Sequence, residues 1–136
     1  MKVYKTQQQI EADIKDNVLE IEGDVKFEVS FSIEAKIIVK AGNIKAGNIK
    51  AWNIEAWNIE ARNIKARNIE AGDIEAVDIE ARNIEAGDIK AWNIEAGDIS
   101  FYAVAFSYMS FKCKSIIGRR EKNKYFCLDK EVEIIK

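Results

Sequence analysis

The 136-residue chain contains no histidine and no proline, and it has only two cysteines. Without histidine, both the nucleophile–imidazole pairs of many hydrolases and the commonest metal ligand are missing. Apolar residues make up 48% of the chain and charged residues 32%, a balance typical of a globular protein and too apolar for a disordered one. A chain of this length is expected to form one domain. We therefore expect a single-domain, non-enzymatic protein that holds no metal or cofactor.

Long apolar runs are also missing. No stretch approaches the roughly 18 residues that a membrane-spanning helix needs, and the first nine residues, MKVYKTQQQ, lack the apolar segment of a signal peptide. These features predict a cytoplasmic protein without membrane contact. Because disulfides are uncommon in that compartment, and because two thiols without histidine do not complete the usual zinc site, Cys113 and Cys127 are expected to be reduced and buried.

Residues 41–100 consist of twelve consecutive five-residue units of the form Ala-x-Asn/Asp-Ile-x. A helix would turn by about 140° from one unit to the next, so the isoleucines would not share a face. A flat strand fails as well, because side chains alternate with a period of two and five is odd. We infer that each unit contains a short extended piece and a corner.

The position of each residue in the unit predicts where its side chain lies. Ile and the Ala two residues later face the same side, with a charged residue between them that faces solvent, as in Ile44-Lys45-Ala46. The Asn or Asp is expected to form the corner through its side chain, a role that Asp73, Asp78, Asp88 and Asp98 share, in preference to cation binding. Regular corners wind the chain into a single-stranded β-solenoid with Ile and Ala inside. The variable second residue is expected to have a negative φ and an exposed side chain.

The N-terminal flank is expected to close one end of the solenoid. Residues 1–17 are predicted to form a cap with a short helix, because Thr6-Gln7-Gln8-Gln9 has the spacing of a capping box and Ile10 and Ile14 follow at helical spacing. Residues 18–40 are predicted to form the first coils. The strict alternation of apolar residues from Val25 to Ala41 places these side chains inside.

The C-terminal flank, residues 101–136, is expected to form an aromatic closing coil followed by a β cap. Phe101, Phe106 and Phe111 continue the five-residue rhythm in place of Ala and are predicted to line this coil. Gly118 is expected to end the coils. The tail beyond it is interpreted as a β-hairpin around Asp129-Lys130.

A tandem five-residue repeat with Asn or Asp before a central aliphatic residue resembles the pentapeptide-repeat family, and the matching stretch is Gly42 to Ser100. In that family the small residue precedes the Asn or Asp, whereas here the constant Ala follows the Ile. The resemblance implies a right-handed quadrilateral β-helix, with four units in each coil. It also implies a possible function, because some family members imitate duplex DNA in shape and charge and protect DNA gyrase.

The second position of the unit supplies the candidate interaction surface. Tryptophan and arginine are enriched at binding hot spots, and this position carries Trp52, Trp57, Trp92, Arg62, Arg67 and Arg82. The alternative is that these side chains only shield the isoleucines. We expect a structural or protein-interaction solenoid, with a DNA mimic as the alternative. The net charge of −4 over the repeat, from seven basic and eleven acidic residues, makes a weak DNA mimic.

The C-terminal flank is the candidate dimer interface. It carries more apolar surface than one cap needs, and such a surplus is commonly buried in a two-fold dimer. We therefore expect a homodimer joined tail to tail, in which the N-terminal end stays free. The residues expected to form the interface are Phe101, Phe106, Phe111, Tyr125, Phe126, Ile134 and Ile135. Nucleic-acid binding is not expected, because the basic run at 119–124 is short.

Overall fold

The computed structural model describes residues 2–118 and 124–134, and these form a parallel β-solenoid. The chain begins with β1 (Lys2–Tyr4) and α1 (Gln7–Ala12), which is the one helix of the described residues. The next strands are β2 (Val18–Glu22), β3 (Val25–Phe27), β4 (Phe31–Ser32), β5 (Lys36–Lys40) and β6 (Asn43–Lys50). A long extended segment, β7 (Asn53–Cys113), then winds through several coils, and β8 (Ser115–Gly118), β9 (Lys124–Cys127) and β10 (Glu133–Ile134) follow it. The predicted all-β solenoid with a short N-terminal helix is confirmed.

Each coil of the repeat contains three units rather than four. β6 lies parallel to β7 with Ile44 beside Ile59 and Ile49 beside Ile64, and the side chains of Asn68 and Asn53, fifteen residues apart, are hydrogen-bonded. The four-unit coil expected from the family resemblance is therefore wrong for this repeat. Stacked neighbours are fifteen residues apart in sequence, which changes which surface residues lie together.

The size of the inward side chains explains the short coil. Three isoleucines and three alanines fill a narrow cross-section, whereas aromatic rings need a wider one. The coil that contains Phe27 and Phe31 is accordingly longer, because Phe27 pairs with Ala46 and Phe31 with Ile49, offsets of nineteen and eighteen residues. Coil length thus follows the volume that the interior has to hold.

The interior is a continuous stack of the repeat's isoleucines and most of its alanines. All twelve isoleucines, from Ile44 to Ile99, are at most 2% exposed, which confirms their inward orientation. The alternating residues of the first coils also point inward, except at the end of the series. Ala41 is exposed and has a φ of 55°, because the chain makes a left-handed turn there before Gly42 packs against the backbone of Gly23.

The third-position side chains connect neighbouring coils. Nδ2 of Asn83 donates to Oδ1 of Asn68 at 2.8 Å, and Nδ2 of Asn93 donates to Oδ1 of Asp78 at 2.7 Å. These amide ladders replace the expected side-chain bonds to the corner backbone, and they stabilise the stacking of coils. The second-position residues have negative φ as predicted, since none of the positive φ values among the described residues falls on that position.

The N-terminal cap is anchored by its helix and by a strand that the sequence did not predict. The hydroxyl of Thr6 accepts a hydrogen bond from the Gln9 N–H at 3.1 Å, which caps α1 as expected. Ile10 is fully buried in the core and closes the interior at this end, while Ile14 is half-buried. β1 pairs with β3, so the chain starts as a partial coil before the helix begins.

A small polar network fixes this cap to the solenoid. The hydroxyl of Tyr4 donates to Oδ2 of Asp13 at 2.8 Å, and Nζ of Lys2 lies 3.3 Å from the same oxygen. The hydrogen bond from Tyr4 and the nearby charge of Lys2 lower the pKa of Asp13. Burial, followed by the contact with Asp13, raises the pKa of Tyr4.

The C-terminal tail is not a hairpin. β9 runs parallel to Val104–Ser107, and β10 runs parallel to Lys112–Cys113. The coils therefore continue past Gly118, which lies in β8, and the expectation that this glycine ends them is wrong. The exposed edge of a coil offers backbone donors and acceptors, and a chain that keeps winding in the same direction pairs with them.

The closing coils also differ from the expected five-residue rhythm. Phe101 and Phe111 are buried inside as predicted. Phe106 was expected inside but faces outward, since its ring lies beneath the ammonium group of Lys90 at 5.7 Å. The coils here are longer than fifteen residues, as Ser115 pairs with Asp98, and the extra residues shift the side on which Phe106 falls.

We predict that acid loosens the N-terminal cap. Asp13 has a lowered pKa in the folded state, so its carboxylate stabilises the cap above the ordinary aspartate pKa of about 4, and this stabilisation is lost as the pH falls through the lowered value. Hydrogen-exchange protection of the α1 amides should therefore fall as the pH drops below about 4. In Tyr4→Phe this pH dependence should be smaller, and an unchanged dependence would contradict the role of the network.

Candidate interaction surface

The structure offers no metal centre among the residues it describes. No group of three or more Cys, Asp or Glu in ranges 2–118 and 124–134 is arranged to hold a metal ion. The thiols of Cys113 and Cys127 are not joined; Cys113 is buried, which raises its pKa, and Cys127 is half-buried. No helix in the described part is long and apolar enough to cross a membrane. The candidate interaction residues all lie on the outer surface of the solenoid.

The fifteen-residue register sorts the second-position side chains into three columns along the solenoid. The first column contains Trp52, Arg67 and Arg82, the second Arg62, Val77 and Trp92, and the third Trp57, Gly72, Gly87 and Tyr102. The six residues predicted as one interaction surface are thus divided among three edges of the coil. Each edge carries a different combination of aromatic, charged and small side chains.

In the first column, an arginine covers the tryptophan of the preceding coil. The guanidinium carbon of Arg67 lies 5.4 Å from the centre of the Trp52 ring, a cation–π distance. The Arg67 N–H also donates to the Trp52 carbonyl at 2.8 Å. Trp52 is consequently half-buried, and this pair serves the packing of the solenoid wall.

In the second column, Trp92 begins a chain of aromatic contacts that runs to the last coil. Its ring centre lies 5.6 Å from that of Tyr108, which lies 5.2 Å from Phe106, and Phe106 stacks on Phe126 at 5.2 Å. We call these four residues the aromatic ladder. The sequence did not predict the ladder, because the five-residue rhythm places Phe106 inside. In the structure Phe101 and Ala105 point inward with strand alternation, which turns Phe106 outward.

In the third column, Trp57 is the most exposed tryptophan, at 60% of its surface. Glycines follow it in the next two coils, and together they form the floor of a shallow groove of about 740 Å³. The groove continues past Trp57 to residues 38–41 of the preceding coil and reaches Tyr102 in the other direction. Glu55, Glu70 and Glu85 also line this groove. We call this feature the glycine-floored groove.

The residues expected at the dimer interface occupy different environments. Phe101 and Phe111 lie in the interior, at 0% and 1% exposure, and are not available to a second copy. Phe106 is half-buried within the aromatic ladder. Tyr125, Phe126 and Ile134 are exposed by 42%, 39% and 43% of their surfaces. Ile135 lies outside the described residues.

Comparison of the chain with protein-family models, with curated proteins and with solved structures finds no match. The stacked parallel coils are those of a repeat protein, and no match confirms membership of the pentapeptide-repeat family.

We predict that the Arg67–Trp52 contact contributes measurably to stability. Arg67→Gly should lower the free energy of unfolding by about 0.5–1 kcal/mol more than Arg62→Gly, because both changes add the same backbone freedom but only the first removes an arginine that covers a tryptophan ring. Urea denaturation of the two variants measures this difference. Equal losses would show that the cation–π contact contributes nothing.

Proposed function

We propose that this protein is a non-enzymatic interaction solenoid that assembles as a homodimer through its C-terminal coils. The observation that supports the proposal is the distribution of large apolar side chains on the surface. Seven of the ten that are exposed among the described residues follow residue 100, and none precedes Trp57. The seven are Tyr102, Met109, Ile117, Tyr125, Phe126, Leu128 and Ile134. An apolar surface concentrated at one end is typical of an interaction site.

The backbone at this end supports a second copy as the partner. β9 and β10 each pair with β7 on one side, and no described strand pairs with their outer edges. A two-fold axis perpendicular to the solenoid would bring the same edges of two copies together in antiparallel orientation, which can form hydrogen bonds. The dimer would therefore extend the sheet as well as bury the apolar side chains.

The two ends differ in a way that favours a closed dimer over a filament. At the N-terminal end the helix α1 inserts Ile10 into the core, and residues 2–56, as described, include no exposed large apolar side chain. Head-to-tail stacking, which would continue without limit, would need two adhesive ends. Residues 101–136 carry eight basic and four acidic side chains, so two copies repel each other. Salt screens exposed charges within about 10 Å at 0.1 M, which weakens this repulsion.

The DNA mimic is the second candidate, and one observation supports it. The repeat places Glu55, Glu70 and Glu85 in line, one coil apart, at a spacing of about 4.8 Å. Inhibition of DNA gyrase supercoiling, or of another DNA-binding protein, is what this function predicts. A protein that acts only through its C-terminal coils should leave supercoiling unchanged.

We predict that the protein is a dimer in solution and that a charge in the tail separates it. Light scattering should give about twice the chain mass of 15.5 kDa. Leu128→Glu should give a monomer, because Leu128 is 59% exposed on the last coil and a carboxylate there would be buried unpaired in the interface. A parent protein that remains a 15.5 kDa monomer at high micromolar concentration would contradict the proposal.

Val77→Glu is the matched control for this experiment. Val77 is also an exposed apolar residue, at 40%, but it lies on the wall of the repeat. This variant should remain dimeric. Dissociation of both variants would place the interface elsewhere or indicate a general effect of charge.

A further inference from the structure

The three tryptophans of the repeat provide an internal comparison. Arg67 covers Trp52 with its guanidinium group at 5.4 Å, and Tyr108 contacts Trp92 at 5.6 Å between ring centres. Each covering residue comes from the following coil. Trp57 is followed in the next coil by Gly72, and no ring or cation of the described residues lies over it. Its exposure of 60% is the consequence.

The glycines that follow Trp57 lie where a side chain does not fit. A Cβ at Gly72 would lie 2.6 Å from the carbonyl oxygen of Trp57, and one at Gly87 would lie 2.7 Å from that of Gly72. Both separations are far below van der Waals contact. The same close approach occurs at Gly97, whose Cβ would lie 2.5 Å from the carbonyl oxygen of Arg82. Trp57 stays uncovered because the residue one coil above it is a glycine, which has no side chain. The groove stays open along two coils.

Carboxylates outnumber cations along the groove. Lys40 also lines it, but its ammonium group is paired with Glu20 at 2.8 Å. Oδ1 of Asp73 lies 3.5 Å from the position that a Cβ of Gly87 would take, so this carboxylate oxygen borders the floor. Glu55 and Glu70 lie on the other side. Glu55, Glu70 and Asp73 form no ion pair with any described residue, whereas Lys65 and Glu80 on a neighbouring edge are 3.9 Å apart.

We propose that the glycine-floored groove binds an arginine-bearing extended segment of a partner protein, with a guanidinium group over Trp57 in the place that Arg67 takes over Trp52. The carboxylates of Glu55, Glu70 and Asp73 complement its charge. Guanidinium is the favoured group because it stacks on aromatic rings and also binds carboxylates through two parallel hydrogen bonds. This surface is separate from the C-terminal coils, so the proposal does not depend on the dimer.

The repeat supplies replacements that the fold already accepts. Trp57→Gly introduces the residue found at that position in Gly72 and Gly87, and Glu70→Lys introduces the residue found at the equivalent position in Lys65. Trp92→Gly and Glu80→Lys make the same chemical changes on other edges and serve as controls. Thermal unfolding of all four variants establishes that each is folded.

Asp73→Asn, a change that the third position tolerates throughout the repeat, provides a further test with little risk to the fold.

The probe is the blocked peptide Gly-Arg-Gly-Arg-Gly-Arg-Gly, titrated by calorimetry, with the same peptide containing citrulline in place of arginine as a neutral comparison. The parent should bind the arginine peptide and not the citrulline peptide. Trp57→Gly should weaken binding by about 2–5-fold, as expected for an exposed cation–π contact, and Glu70→Lys and Asp73→Asn should also weaken it. Trp92→Gly and Glu80→Lys should bind as the parent does.

Three results would overturn the proposal. The first is no binding of the arginine peptide at millimolar concentration. The second is equal weakening by Trp57→Gly and Trp92→Gly, which would indicate general attraction to an acidic protein. The third is binding of an uncharged linear oligosaccharide, such as cellotetraose, that depends on Trp57 and not on Glu70, because the groove would then be a sugar site.

Discussion

Burial of the isoleucine of every five-residue unit, together with most of the alanines, is the constraint on which the rest of the structure depends. To keep these side chains inside, the chain has to bend once in each unit, and repeated bends close it into a coil. Stacked coils then pair their backbones in parallel, so that strand hydrogen bonds and the isoleucine stack stabilise the same arrangement. The third-position amides strengthen this stacking from outside through bonds such as that between Asn83 and Asn68. Only the second and fifth positions remain free to vary.

What these free positions can do depends on how many units make a coil. With three units, Arg67 lies over Trp52 and the glycines lie beyond Trp57. One column is therefore closed by its own side chains, whereas another is left open and acidic. Interaction surfaces in such a protein arise from the arrangement of neighbours along a column. The effect of a substitution in one unit therefore depends on which residue lies one coil away.

The sequence predicts the solenoid, the inward residues and the capped helix, because these depend on local spacing around residues such as Ile44 and Thr6. It does not predict the number of units in a coil, since the twelve units are alike and any whole number of units keeps the isoleucines inside. The hairpin expected for the tail is wrong for a related reason. A turn signal at Asp129 favours a hairpin locally, but the open edge of the preceding coil is a better partner for β9, and sequence spacing does not show that edge. The outward orientation of Phe106 likewise depends on the length of its coil, which is determined by the packing of the interior.

The three-unit coil is tested most directly by engineered disulfides in a protein whose Cys113 and Cys127 are replaced by alanine. Parallel neighbours in stacked coils have Cα atoms about 4.8 Å apart, within the range of about 4.4–6.8 Å that a disulfide spans. The pair Arg62→Cys and Val77→Cys, fifteen residues apart, should therefore cross-link on mild oxidation and raise the unfolding temperature. The pair Arg62→Cys and Arg82→Cys should stay reduced, because these positions lie on different edges. Efficient cross-linking of the second pair and not the first would show a four-unit coil and contradict this account.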